Sequence, residues 1–194
     1  MKKLYILLLS LITTASFSQA TDLFFSQYGE GSGNNKFLEI YNGTGQDVDL
    51  SNYAFPSVAN TPDVPGTHEY WNDFPEGAVV ANGDVYVIAH PSASDEITAT
   101  ADHFHQYLSN GDDGYALALG TEDQYSVIDF IGDFNGDPGE GWDVAGVTNA
   151  TKDHTLVRKS TVTLGNGGQW EASAGSEPSD SEWVVLDQND WTYV

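Results

Sequence analysis

Residues 37–55 read FLEIYNGTGQDVDLSNYAF. Phe37, Glu39 and Tyr41 alternate with Leu38 and Ile40, so a strand here puts the two aliphatic side chains on one face and predicts them in a core. The NGTG that follows supplies Gly43 and Gly45, which tolerate the positive φ of a tight reversal. Asp49 and Ser51 can cap local amides in DLSN. The stretch therefore reads as strand, turn and second extended run.

Outward from it the same pattern recurs. Strand-like runs rich in Val, Ile, Tyr and Phe occupy 22–28, 36–42, 84–90, 115–120, 125–132, 154–160 and 182–187. Turn clusters such as GEGSGNN, NTPDVPG, SNGDDG and GNGG separate them. Short strands with that punctuation predict an all-β antiparallel sandwich or barrel. A helical turn is predicted only within 92–107. No repeat, linker or shift in composition divides the chain, so residues 21–194 are expected to form one domain.

The first twenty residues follow a different rule. Lys2 and Lys3 precede an apolar run from Leu4 to Phe17 and small residues at Ser16, Ser18 and Ala20, the pattern of a secretory signal peptide. The run is too short for a stable membrane anchor, and no later segment is long and apolar enough to predict a transmembrane span. Without cysteine there is no disulfide framework, thiolate metal site, cysteine nucleophile or lipidated N-terminal cysteine. Past the leader, Lys36, Lys152, Arg158 and Lys159 face 29 acidic residues, a formal charge of −25. Such a surface repels phosphate backbones, which disfavours direct nucleic-acid binding. The acidity suits either a solvated extracellular surface or partial neutralisation by divalent cations.

Several segments carry a family likeness. FFSQYGEGSGNNKFLEIYNGTG (24–45), VDLSNY (48–53), NGDDGYALAL (110–119), IGDFNGDPGEGW (131–142), TKDHTLVRKS (151–160) and SEWVVL (181–186) stand in an order that resembles lamin-tail domains. The likeness is closest to those of secreted bacterial proteins, often attached to extracellular nucleases. It implies an immunoglobulin-like β-sandwich, with Leu156 and Arg158 on a late strand and Arg158 paired to a neighbouring carboxylate. Since lamin-tail domains share a fold rather than one partner, association with a nuclease is an analogy. The sandwich pattern runs to the final NDWTYV, so no attached nuclease domain is expected within it.

Catalytic constellations are weak. His103 and His105, with Asp102, could begin a small metal site but have no further ligand at a telling distance, and a surface strand or turn is the competing reading. His154 follows KD, while His68 and His90 are isolated, so no Ser-His-Asp triad is favoured. No Gly-x-Ser-x-Gly elbow or phosphate-binding glycine loop occurs. With so many acids, paired carboxylates carry little information. A secreted metal-dependent hydrolase or nuclease-associated protein, using carboxylates with His103, His105 or His154, remains the rival to a non-catalytic module.

Two binding features stand out. In DFNGDPGE (133–140), Asp133, Asn135 and Asp137 alternate and Glu140 follows, an oxygen-rich set suited to Ca²⁺. Pro138 at the sixth position and Val144 at the twelfth exclude an EF-hand. The competing reading is a Pro-Gly turn in which Asp133 and Asn135 bond their own backbone. NGDDG (110–114) is the next cation candidate. In HEYWNDF (68–74), Tyr70, Trp71 and Phe74 lie among polar residues as a patch that could stack on a glycan or protein ligand. Trp183 and Trp142 are expected in or near the core. Asn42-Gly43-Thr44 and Asn149-Ala150-Thr151 match the glycosylation pattern, which matters only in a glycosylating host. The expectation is a secreted recognition module or cell-surface assembly component; an exposed edge strand could serve assembly.

Overall fold

The computed structural model describes residues 19–194. The leader at 1–20 lies outside these residues except for its last two. Of those, Gln19 donates its side-chain N–H to Thr44 O, and Ala20 is buried and donates its N–H to Gly43 O at 3.1 Å.

In chain order the elements are β1 (Phe24–Glu30), β2 (Lys36–Tyr41), β3 (Val48–Asp49), a 3-10 turn (Leu50–Asn52), β4 (Tyr53–Ala54), β5 (Ser57–Val58), β6 (Val79–Val80) and β7 (Val85–Ala89). They continue with α1 (Asp95–Thr98), β8 (His103–Phe104), β9 (Gly114–Thr121), β10 (Gln124–Ile131), β11 (Thr155–Arg158), α2 (Trp170–Ala174) and β12 (Trp183–Leu186). One sheet runs β12-β11-β1-β2-β7-β8, and a second runs β10-β9-β4 with β5 also paired to β9. A small β3-β6 ladder closes one side. Every pairing is antiparallel except β7-β8. This is an immunoglobulin-like antiparallel β-sandwich: the alternation predicts a sandwich or barrel, and the lamin-tail likeness implies the immunoglobulin-like form.

The core forms where the inward faces meet. Tyr28, Leu38, Ile40, Ile88, Leu156 and Trp183 come from the first sheet, and Tyr115, Leu117 and Ile131 from the second. Asp49 Oδ1 accepts the Ser51 N–H at 2.7 Å, the expected cap. Gly45 has φ +86° in the NGTG turn.

The other face of β2 departs from expectation. Phe37 is buried, not half-solvated, with Val87, Ala89 and Ile97, and Trp191 and Val194 pack on this cluster. The terminal NDWTYV thus covers the sheet: the Phe37 and Trp191 rings meet edge to face at 5.8 Å. Glu39 is buried on this face as well, accepting from Ser26 Oγ at 2.6 Å and Gln27 Nε2 at 2.8 Å, and burial pushes its pKa up. Gln27 Nε2 also donates to Tyr193 O at 2.8 Å. Asn42, in the first glycosylation pattern, is fully buried and donates to Gln46 O and Val80 O at 2.8 Å, so it is a structural side chain in the folded chain.

The two sheets are joined by a polar clamp. Asp129 on β10 accepts the Phe25 N–H of β1 at 2.8 Å, the Asn166 N–H at 2.8 Å and both Nη atoms of Arg158 from β11. Arg158 also donates to Glu182 Oε2 at 2.8 Å, and its guanidinium lies 4.4 Å from the Trp183 ring centroid. Burial pushes the Asp129 pKa up; Arg158 and the backbone amides oppose that shift. Arg158 is therefore the structural partner expected of it.

Candidate functional site: an acidic aromatic cleft

Beside β5 the segment 68–73 folds back onto the sandwich edge. Ser57 and Tyr70 exchange backbone hydrogen bonds of 2.9 and 3.0 Å, and the Phe55 N–H donates to Asn72 O at 2.9 Å. These bonds hold the aromatic segment as one wall. The facing wall is 105–108, where Tyr115 Oη donates to Tyr107 O at 3.2 Å and His105 packs on Phe55 at 5.3 Å between ring centroids. Between the walls lies a cleft of about 1010 Å³.

Its aromatic lining divides into fixed and free rings. Trp71 is half-buried, packed at a tilt against Tyr125 at 5.1 Å and His68 at 5.3 Å between ring centroids, with its Nε1–H donating to Asp73 Oδ1 at 2.8 Å. Tyr70 and Tyr107 are 57% and 73% exposed, which leaves their rings free to contact a ligand. Phe74 does not belong to this patch. It is buried against Phe55 at 5.2 Å and Tyr86 at 5.4 Å because the chain turns inward after Asp73.

Charge in the cleft has one sign. Glu69, Asp73, Asp113 and Glu122 line it, and no lysine or arginine does. Glu69 Oε2 accepts the Ala59 N–H at 2.7 Å, and Glu122 lies 3.7 Å from His68 Nε2. Asp113 is the deepest, 7% exposed, from the tight loop that ends in NGDDG. Gly111 there has φ +92° and abuts Lys152 closely enough that a Cβ would sit 2.5 Å from Lys152 Cβ. Asp113 Oδ2 accepts the Asn110 N–H at 3.1 Å, while Oδ1 is buried without a partner. Burial, then the neighbouring Asp112, push its pKa to about 7.

A model of the lamin tail domain family matches residues 16–133, more than half of the chain. The chain belongs to the lamin tail domain family. No curated protein and no solved structure matches it significantly. The family match stops at Asp133, whereas the likeness read from the sequence runs to 186; β11 and β12 lie past the match yet complete the first sheet of this lamin tail domain.

The 133–140 loop of the lamin tail domain is built from turns. Asp133 Oδ1 accepts the Asn135 N–H at 2.8 Å and Asp137 Oδ1 accepts the Gly139 N–H at 2.6 Å. Glu140 pairs with Lys152 at 3.2 Å. Asp133 and Asn135 line a cleft of about 410 Å³ with Glu171, and neither Asp137 nor Glu140 lines it. Among the described residues no three His, Asp or Glu side chains are grouped to hold a metal ion. His103 and His105 pack on Phe55, and burial pushes both pKa values down; His154 Nδ1 meets Lys152 O at 2.6 Å.

Sequence reasoning missed Tyr107 and Asp113 as companions of Trp71. NGDDG was legible as an oxygen-rich turn, but its place under the 68–73 segment depends on β5 and β9 pairing, with Ser57 opposite Tyr115.

Proposed function

We propose that this lamin tail domain is a secreted, non-catalytic recognition module that binds an extracellular ligand in the cleft between 68–73 and 105–115. The observation that carries this reading is the pair of exposed tyrosines, Tyr70 and Tyr107, flanking a half-buried Trp71 above a concave surface. Aromatic walls with a few convergent polar groups are the usual make-up of a binding site. The leader-like residues 1–20 and the strong acidity support an extracellular setting. The hydrolase reading is weaker, because His103 and His105 are held on Phe55 and His154 lies away from the cleft lining.

The test is a glycan and peptide array followed by ¹⁵N NMR of the Trp71 indole signal. Trp71→Ala and Tyr107→Ala are expected to weaken the hit by about tenfold, the scale of a central aromatic contact. Hydrolysis of DNA or glycan that disappears in His105→Ala would replace this reading with an enzymatic one.

We propose that the 133–140 loop is held by its own turns and not by Ca²⁺. Thermal unfolding in millimolar CaCl₂ and in EDTA is expected to give one midpoint. A rise in Ca²⁺ that Asp133→Asn abolishes would show native-state cation binding by mass action instead.

A further inference from the structure

We propose that the cleft is a receptor for a lysine side chain on an extracellular peptide, with the ammonium group seated on Asp113 and the methylene stem between Tyr107 and Trp71. This inference rests on the recognition reading above and names the chemistry of its ligand.

Three observations converge on that chemistry. The first is the orphaned oxygen: Asp113 is more than nine-tenths buried, and its Oδ1 lacks the hydrogen-bond partner that buried carboxylate oxygens ordinarily have. The second is the charge of the surroundings. The lining offers four carboxylates and no lysine or arginine, and Lys36, whose charge reaches Asp113 from β2, is paired with Glu30, so the net charge of the walls attracts a cation. The third is the pairing of acid with exposed rings. Tyrosine faces attract an ammonium group and accept the apolar stem that carries it.

Depth selects the tether. Asp113 lines the cleft yet is only 7% exposed, whereas the rings of Tyr70 and Tyr107 stand largely in solvent. So buried a carboxylate favours a group borne on a flexible chain of several methylenes, as in lysine, over an amine fixed directly to a sugar ring. A single free acceptor oxygen also fits a compact ammonium better than the two-pronged guanidinium of arginine.

The protonation state of Asp113 makes the reaction pH-dependent. Its carboxyl faces Asp112 on its own loop, Glu69 from the opposite wall, Lys36 from β2 and the Tyr28 and Tyr115 hydroxyls from β1 and β9. Lys36 is already paired with Glu30. His105 also lines the cleft, and its protonation in acid adds a repulsive charge. Both effects weaken binding of a cation as pH falls through about 7.

The experiment compares acetyl-Gly-Lys-Gly-amide with its norleucine counterpart, which keeps the methylenes and lacks the charge. Calorimetry and the Trp71 indole signal are followed in about 150 mM NaCl, where diffuse surface attraction is screened. The lysine peptide is expected to bind and shift Trp71; the norleucine peptide is not. Asp113→Asn is expected to weaken binding about tenfold or more, equivalent to one charged hydrogen bond, and to flatten the pH dependence. Glu177→Gln, exposed and outside the cleft, leaves affinity unchanged. Should Asp113→Asn fail to fold, Tyr107→Ala tests the wall through a mostly exposed side chain. Equal binding of both peptides, or a glucosamine oligomer shifting Trp71 where lysine does not, overturns the lysine assignment but keeps the recognition cleft. If no peptide or glycan moves Trp71, the recognition reading falls with it.

Discussion

Asp129→Asn is expected to lower the unfolding free energy by about 3–5 kcal/mol, the scale for stranding one charge of a buried ion pair. Asp129 and Arg158 are both almost fully removed from solvent, with side-chain exposures of 0% and 1%. The carboxylate collects donors from β1, β11 and the 166 loop. An asparagine amide would turn an NH₂ toward at least one of them and leave the guanidinium charge without its nearest counter-ion. Ser173 Oγ extends the network by donating to Glu182 Oε2 at 2.6 Å and accepting from Trp183 Nε1 at 3.0 Å, so the loss reaches α2. Urea unfolding of Asp129→Asn, Arg158→Met and an Asp129→Leu/Arg158→Met double variant measures the coupling. The double variant should lose less than the two single losses together, because it removes both buried charges. A loss below about 1 kcal/mol in both single variants would reduce the clamp to the status of a surface pair.

Phe55→Ala is expected to cost about 3–5 kcal/mol, the range for truncating a fully buried phenylalanine. Here the effect on function should be as large as that on stability. The Phe55 ring supports His103 at 5.7 Å and His105 at 5.3 Å, hence the 105–108 wall, and touches Phe74 at 5.2 Å below the opposite one. Its N–H and C=O both bond Asn72, the N–H to its backbone and the C=O to its side chain. Removing the ring leaves a void under both walls. Phe55→Leu keeps most of the volume and is expected to lose less than Phe55→Ala. Urea midpoints and the Trp71 indole position, read on the same samples, check the prediction. A Phe55→Ala variant of native stability and unchanged indole shift would show that the cleft does not rest on this residue.

The long strands were legible because alternation over five or more residues leaves a clear period, as Leu38 and Ile40 illustrate. The ladders at 48–49, 53–54, 57–58, 79–80 and 103–104 are two residues each, too short to display any period. Tertiary hydrogen bonds, not propensity, define them. Helix α2 escaped for a related reason: five residues make little more than one turn, and packing of Trp170 on Trp183 at 6.2 Å holds it. The cleft was half legible. Tyr70 and Trp71 announced themselves by composition, whereas Phe74 looked the same in sequence and turned inward. Asp113 could not be distinguished from 28 other acids until its burial was known. The outer face of β2 read as half-polar because its cover, Trp191 and Val194, lies some 150 positions away.

The position of β1 between β2 and β11 has a consequence for the order of events in folding. Tyr28 faces Leu38 on one side and Leu156 on the other. The hairpin partner Leu38 is available as soon as it is synthesised, but the second neighbour, Leu156, follows it 118 residues later. Until then β1 has an open edge, and the Asp129 carboxylate awaits its guanidinium. A nascent chain halted at the end of the family match, Asp133, would therefore lack β11, β12 and Arg158. Assembly dominated by such distant pairings is slow, and completion of the sandwich must wait for the C-terminal third of the chain.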